Sequence, residues 1–311
     1  VIAALVVLLS LTTAEAAEVD LFARLPLGPH RVGFHQTNDA GVWAPAREGG
    51  TPMRFADYLS DRGGFEKFLS GAGLSAETID AWMQAPMRAF RDAPFRRGSF
   101  PLIVVAQGNQ QSAADQAVLC ELIASHGYVV VTTPSPMLRT PMQSEEEIGA
   151  FAETQAAELA RAIAAVSRDA PRIGVVGHSF GSRAALLLAM REPRVRALVS
   201  LDGGIGSALG VERMRAAASY RAGHAPPILH FYELHDSFVR SDLSFLRELG
   251  AAELHTERIL GMRHAHFTSL GFAAAALPEL AQLTRAPETL ARDTAHVAAA
   301  TLRFLDLFVK R

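Results

Sequence analysis

The sequence predicts an α/β fold: a mostly parallel central sheet with helices on both faces, preceded by an antiparallel hairpin at the N-terminal side. Three observations predict it. From Phe100 onward, short continuous apolar runs alternate with longer segments of helical spacing, as strands buried on both faces and bridged by helices do. One strand-to-helix joint carries Gly177-His178-Ser179-Phe180-Gly181, a Gly-x-Ser-x-Gly pentapeptide. Finally, 311 residues, 49% hydrophobic and 20% charged, suit one such domain with embellishments better than two domains or a disordered chain.

The elements follow in order. Val1 to Leu9 has the character of a secretory signal's apolar core, and Ala14-Glu15-Ala16 supplies small residues for cleavage. Residues 1–16 are therefore expected to be a partial signal peptide, residues 17–311 the α/β domain, and the protein exported to a periplasm or secreted. The apolar stretch ends near Leu11, too short for a bilayer span. A retained anchor is the rival reading, but no stable membrane span is expected after processing. Gly28 to Pro45 alternates apolar residues (Val32, Phe34, Val42, Trp43) around Asn38-Asp39-Ala40-Gly41, which predicts the hairpin. Residues 54–92 change to helical spacing, from Phe55 and Leu59 to Trp82, Met83 and Met87, and are expected to be a helical insertion serving as a packed cover or a pocket mouth.

Pro101 to Ala106 is a strand, Ala113 to His126 a helix ended by Gly127, and Tyr128 to Thr132 the next strand. Glu145 to Ser167 is a long amphipathic helix whose acidic start suits the helix dipole. Arg172 to Val176 leads into the pentapeptide, and Ser182 to Arg191 is a helix stopped before Pro193. Strands at Arg196–Leu201, Pro227–Tyr232 and Leu254–Leu260 and a helix at Glu288–Lys310 complete the order. A parallel sheet of this kind places its ligand site beyond the C-terminal ends of the strands.

Composition excludes several functions. A formal charge of −2 without a Lys/Arg stripe excludes a nucleic-acid partner. Cys120, the single cysteine, lies among Val118, Leu119, Leu122 and Ile123; it reads as core filling and leaves no intrachain disulfide. No His, Cys or carboxylate pair shows metal-ligand spacing, so neither metal nor cofactor is expected.

The chemistry points to Ser179. A serine on so tight a strand-to-helix turn is forced into a strained conformation that presents Oγ, with glycines where a Cβ would collide. Acyl transfer by serine also needs a base, a carboxylate to hold the base, and donors for the oxyanion. His264 and His266, in Gly261-Met262-Arg263-His264-Ala265-His266-Phe267, compete for the base; His264 is nearer the strand end. His178 should point away from Oγ. Asp202 and Asp236 each follow a strand, and either preserves the order Ser, Asp, His. The backbone N–H groups of Phe180 and Asn109 are the expected oxyanion donors.

Together these segments resemble the α/β-hydrolases over roughly residues 28–311. Gly28-Pro29-x-x-Val32-Gly33, Gly98-x-Phe100-Pro101-Leu102-Ile103-Val104-Val105 and Leu122 to Val130 are similar to the platelet-activating-factor acetylhydrolase, dienelactone-hydrolase-like and cutinase-like esterases. Gln107-Gly108 departs from the His-Gly of many relatives. The resemblance implies His264 as base through Gly-x-x-His-x-x-Phe. For the acid, acetylhydrolases and chlorophyllases match Leu201-Asp202, whereas cutinase-like enzymes match Asp236; the closer match favours Asp202. The implied function is a serine esterase acting on a small-molecule or lipid-like ester. An acyltransferase using the same acyl-serine, or an inactive binding module, are the alternatives.

Overall fold

The protein is described by a computed structural model that covers residues 18–37, 40–133, 145–167, 169–236 and 239–310. The signal-like segment over residues 1–16 and the hairpin tip at Asn38 and Asp39 lie outside the described residues. Strands β1 (Val32–Gln36) and β2 (Gly41–Pro45) pair antiparallel, with Phe34 opposite Trp43.

The expected helical insertion over 54–92 is only partly helical. β3 (Thr51–Arg54) leads through a 3₁₀ turn to α1 (Arg62–Gly71) and α2 (Ala76–Met83), and Pro86–Arg91 then forms strand β4. β4 runs parallel to β1 and antiparallel to β3. Met83 and Met87 are four residues apart, which mimics a helical repeat, but the helix ends between them at Gln84. Burial of Met87 and Ala89 then follows the two-residue period of a strand. The insertion's aromatics turn inward: Phe55 stacks on Trp82 with ring centroids 5.1 Å apart, and Phe65 meets the same ring edge-on.

The remaining chain alternates as predicted: β5 (Leu102–Ala106), α3 (Ala113–Ser125), β6 (Val129–Thr132), α4 (Glu145–Val166), β7 (Ile173–His178), α5 (Gly181–Arg191) and β8 (Val195–Leu201). Then come α6 (Val211–Arg215), β9 (Ile228–Tyr232), α7 (Ser244–Glu248), β10 (Leu254–Arg258), α8 (Ser269–Ala276), α9 (Pro278–Leu283) and α10 (Leu290–Val309). The ten strands lie in the order β10-β9-β8-β7-β5-β6-β2-β1-β4-β3. β10 through β6 are mutually parallel, so their C-terminal ends share one edge.

Successive residues of each central strand feed opposite cores. Ile103 and Val105 pack with α3 and α10, while Leu102, Val104 and Ala106 pack with α4 and α5. This double burial is why these strands read as unbroken apolar runs.

A polar chain crosses the first core. Trp43 Nε1 donates to the Tyr58 hydroxyl (2.9 Å), which donates to Glu121 Oε1 (2.5 Å). The backbone N–H groups of Arg88 and Ala89 donate to Glu121 Oε2 at 2.6 and 3.1 Å. Even so, burial pushes the Glu121 carboxyl up from 4.5 to about 7. The folded state therefore holds this proton more tightly than the unfolded chain, and the resulting stability fades as pH rises from about 4.5 to about 7, by up to about 3 kcal/mol. Buried His230 and His266, held down to about 3 and about 4, act oppositely and weaken the fold as pH falls below the ordinary histidine range. Urea unfolding of wild type and Glu121→Gln at about pH 5 and about pH 8 isolates the carboxyl's share. Wild type should lose stability relative to the variant on going to the higher pH; a pH-independent difference contradicts this role for Glu121.

Candidate active site

Ser179 occupies the joint between β7 and α5 with φ of +53°, in the left-handed region that L-residues other than Asn and Asp seldom enter. Local sequence makes the turn fit. A Cβ at Gly177 would stand 2.5 Å from Ser182 Cα, and one at Gly181 would stand 2.2 Å from the Ala106 carbonyl oxygen. The strained residue is tied down on both sides: Ser179 N–H donates to Leu201 O (3.1 Å), and its carbonyl accepts from Gly204 N–H (2.8 Å) and Ser182 Oγ (2.9 Å).

His264 begins a 3₁₀ turn beyond β10 and reaches back to this joint. The Ser179 hydroxyl donates to its Nε2 (2.8 Å), and its Nδ1–H donates to Asp202 Oδ2 (2.5 Å). Asp202, on the loop after β8, is 1% exposed, whereas the His264 side chain keeps 14% exposure. Asp202 also sits at positive φ (+42°). Its backbone N–H donates to Phe231 O (2.8 Å), and its free Oδ1 accepts from Glu233 N–H (3.2 Å).

The two competing candidates lie elsewhere. His266 accepts the Arg263 N–H at Nδ1 (3.0 Å) and faces a small apolar cavity with Leu119, Leu201 and Met262. Burial holds its imidazole down to about 4. Asp236 faces the backbone of His264 and not its ring: Oδ2 accepts from His264 N–H (2.9 Å), while Oδ1 accepts from Arg263 Nη1 (2.8 Å). Asp202 and Asp236 thus hold the same residue at different atoms.

The turn after β5 faces the serine joint, because Gly181 packs on the Ala106 and Gln107 carbonyls. Among the described residues, the backbone N–H groups of Phe180 and Asn109 have no hydrogen-bond partner in the protein. The adjacent Gly108 N–H is taken by Gln111 Oε1 at 2.7 Å.

Sequence reasoning passed over Glu233 and Gln111 at this site. Glu233 is fully buried and accepts from the N–H groups of His235 and Asp236, which shapes the loop under Asp202 and Asp236. Its place at a strand end, three residues before Asp236, was the available signal for a turn-capping carboxylate. Buried His178, the residue before the serine, contacts Gln111 Oε1 (2.9 Å) and lies against the His264 ring; its contact with Gln111 spans 67 positions of sequence and leaves no local trace.

Among the described residues, no group of three or more His, Cys, Asp or Glu side chains could hold a metal ion. No described helix is long and apolar enough to cross a membrane. Cys120 is buried, and burial pushes its thiol well up, away from thiolate chemistry.

Comparison with known proteins adds an independent line. A family model described as chlorophyllase matches residues 71–239, more than half of the chain. That span holds Ser179, Asp202 and Asp236 and stops before His264. Cutinase 2 of Thermobifida cellulosilytica is 30% identical over 110 residues, covering 35% of this chain and 41% of that protein. Cutinase cut1 of Thermobifida fusca is 30% identical over 110 residues, covering 35% and 34%. The matched region therefore spans well under half the length of these relatives. A solved ferulic acid esterase from Streptomyces cinnamoneus aligns over 94% of both chains with a TM-score of 0.67 and 19% identity, a likeness of fold. The fold is that of the α/β-hydrolases.

The tightest constraint at the joint is testable. Gly181→Ala would drive a methyl group into buried strand carbonyls, at a cost of about 1–3 kcal/mol. Thermal unfolding should show the loss, and reaction of Ser179 with an organophosphonate should slow sharply. A variant of unchanged stability and reactivity would contradict the close approach.

Proposed function

The chain belongs to the chlorophyllase family, and from that membership and the surroundings of Ser179 we propose that it is a carboxylic ester hydrolase working through an acyl-serine intermediate. The observation that carries this reading is the hydrogen-bonded line from Ser179 Oγ through His264 to Asp202, 2.8 and 2.5 Å in its two links. The family and the cutinase relatives support an ester as substrate.

In the proposed reaction, His264 Nε2 takes the Ser179 proton as Oγ attacks the ester carbonyl. Asp202 stabilises the imidazolium and keeps Nδ1 as the protonated nitrogen. Negative charge gathers on the carbonyl oxygen, where the N–H groups of Phe180 and Asn109 accept it into a preorganised site; one such donor typically contributes about 3 kcal/mol. Collapse of the tetrahedral intermediate expels the alcohol, which takes the proton from His264 and leaves the acyl group on Ser179. Water then attacks the acyl-serine, giving its proton to His264. The second intermediate releases the carboxylic acid, and the proton returns to Ser179 Oγ.

The half-buried serine and the partly exposed imidazole leave water a path to the acyl-enzyme, which favours hydrolysis over transfer to another acceptor. A small-molecule or lipid-like ester is the proposed substrate class, and the signal-like residues 1–16 give the proposal an exported setting.

A panel of p-nitrophenyl esters with the full chain tests the assignment. Ser179→Ala should abolish turnover and organophosphonate labelling. Asp202→Asn should lower kcat by about 10⁴-fold through a misheld imidazole. Asp236→Asn, which loosens the backbone of the base and leaves its ring partner, should cost no more than about 100-fold. An Asp236→Asn loss exceeding that of Asp202→Asn would exchange the two roles.

A further inference from the structure

His178 stands between the two loops that the proposed reaction must hold in register. One loop is the turn after β5, residues 107–111, which carries Asn109. The other is the loop after β10, which carries His264. His178 is fully buried and fixed to the end of β7, one residue before Ser179. Its Nδ1 lies 2.9 Å from Gln111 Oε1, and its Nε2 lies 3.2 Å from the His264 carbonyl oxygen. Its ring packs on the His264 imidazole with centroids 4.8 Å apart and planes inclined by 32°.

Both ring nitrogens of His178 face oxygen acceptors. Gln111 Oε1 accepts the Gly108 N–H at 2.7 Å, so the oxygen of that amide, and not its nitrogen, faces His178. A carbonyl oxygen has a second lone pair for one more donor, and Nδ1 is the ring nitrogen within reach. Burial, and then the neighbouring His264 ring, hold His178 well below the ordinary histidine range, so the neutral ring carries one N–H and donates to one of the two oxygens at a time. The His264 side is held by the contact of Nε2 with its carbonyl oxygen and by ring packing. A Cβ at Gly108 would stand 2.5 Å from Gln111 Oε1 and 3.0 Å from His178 Nδ1, so glycine is what lets the turn close on this pair.

Resting on the ester-hydrolase reading above, we propose that His178 and Gln111 act as one positioning unit, which sets the oxyanion turn and the face of the base relative to Ser179. The Gln111 amide fixes the Gly108 peptide and thereby the direction of the next N–H, that of Asn109. The His178 ring limits rotation of the His264 imidazole about its long axis. Neither side chain needs to touch the substrate. Gln110, at φ of +61° in the same turn, is the strained residue that this unit holds in place.

The test uses isosteric changes in the full chain with p-nitrophenyl acetate as substrate, and an organophosphonate to titrate active sites. His178→Phe keeps the ring and removes both nitrogens, while Gln111→Met keeps the length and removes the acceptor. Each should lower kcat per titrated site by about 10- to 100-fold, with KM within about threefold. The double variant should fall no more than about threefold below the weaker single variant, because the two residues serve one function. Losses that multiply, losses confined to KM, or a fall in titrated sites and unfolding temperature with kcat per site unchanged would each overturn the unit. Should His178→Phe fail to fold, Gln111→Met on the half-exposed turn decides alone, and an unchanged kcat overturns the proposal. The wild-type result separates the two levels. A wild type that neither labels at Ser179 nor turns over esters sinks the ester-hydrolase reading and this inference with it. An active, labelled wild type with unaffected variants sinks the positioning unit only.

Discussion

The site depends on how closely two backbones approach where β7 turns into α5. A methyl group at Gly181 would stand 2.2 and 2.4 Å from the carbonyl oxygens of Ala106 and Gln107, and one at Gly177 would meet the backbone of Ser182. Only bare Cα atoms allow the serine turn to lie directly against the end of β5. That approach fixes the distance between Ser179 and the turn carrying Asn109. It also brings the start of α5, whose Phe180 N–H is unpaired among the described residues, onto the same side. The family pentapeptide is therefore a statement about packing before it is one about chemistry.

The same edge of the sheet stores backbone strain. Among the described residues, five non-glycine residues have positive φ, and Ser179, Asp202 and Gln110 are three of them. Each such residue costs on the order of 1–3 kcal/mol, which surrounding bonds must offset. For Ser179 these are the links to Leu201, Gly204 and Ser182; for Asp202 they are the link to Phe231 and the Glu233 N–H on its carboxylate. Two of these anchors, Leu201 and Phe231, lie at the ends of the parallel strands β8 and β9, which are packed on both faces. Part of the strain is thus anchored on strands buried on both faces.

Most of this architecture was legible in the amino-acid order, because burial on both faces writes strands as continuous apolar runs and glycine marks the turns. The exceptions have physical causes. β4 was hidden by the chance spacing of Met83 and Met87 across the end of α2, and β3 by its shortness and its single buried residue, Met53. The pairing of His178 with Gln111 spans 67 positions and is made by folding, so no short-range pattern marks it, whereas Glu233 acts locally on the N–H groups of His235 and Asp236. The choice between Asp202 and Asp236 was open for a related reason. Both follow parallel strands, and a one-dimensional order does not say which strand neighbours which.

Sheet order supplies that information. β8 lies directly beside β7, and β9 lies one strand further out. At about 4.8 Å per strand, a carboxylate after β8 meets a ring standing over the end of β7, while one after β9 meets the chain that leads to the ring. The loop from β10 must cross both positions to bring His264 to Ser179. Asp202 receives the imidazole Nδ1–H, and Asp236 receives the His264 backbone N–H together with Arg263. The two carboxylates also differ in setting: Asp202 is almost wholly buried and faces one N–H from Glu233, whereas Asp236 is neutralised by a guanidinium. An acid meant to stabilise a transient imidazolium is better left without a competing permanent cation. In the proposed reaction, the arginine beside Asp236 therefore suits a structural carboxylate, and the lack of a cationic partner for Asp202 other than His264 among the described residues suits the one that faces the His264 ring.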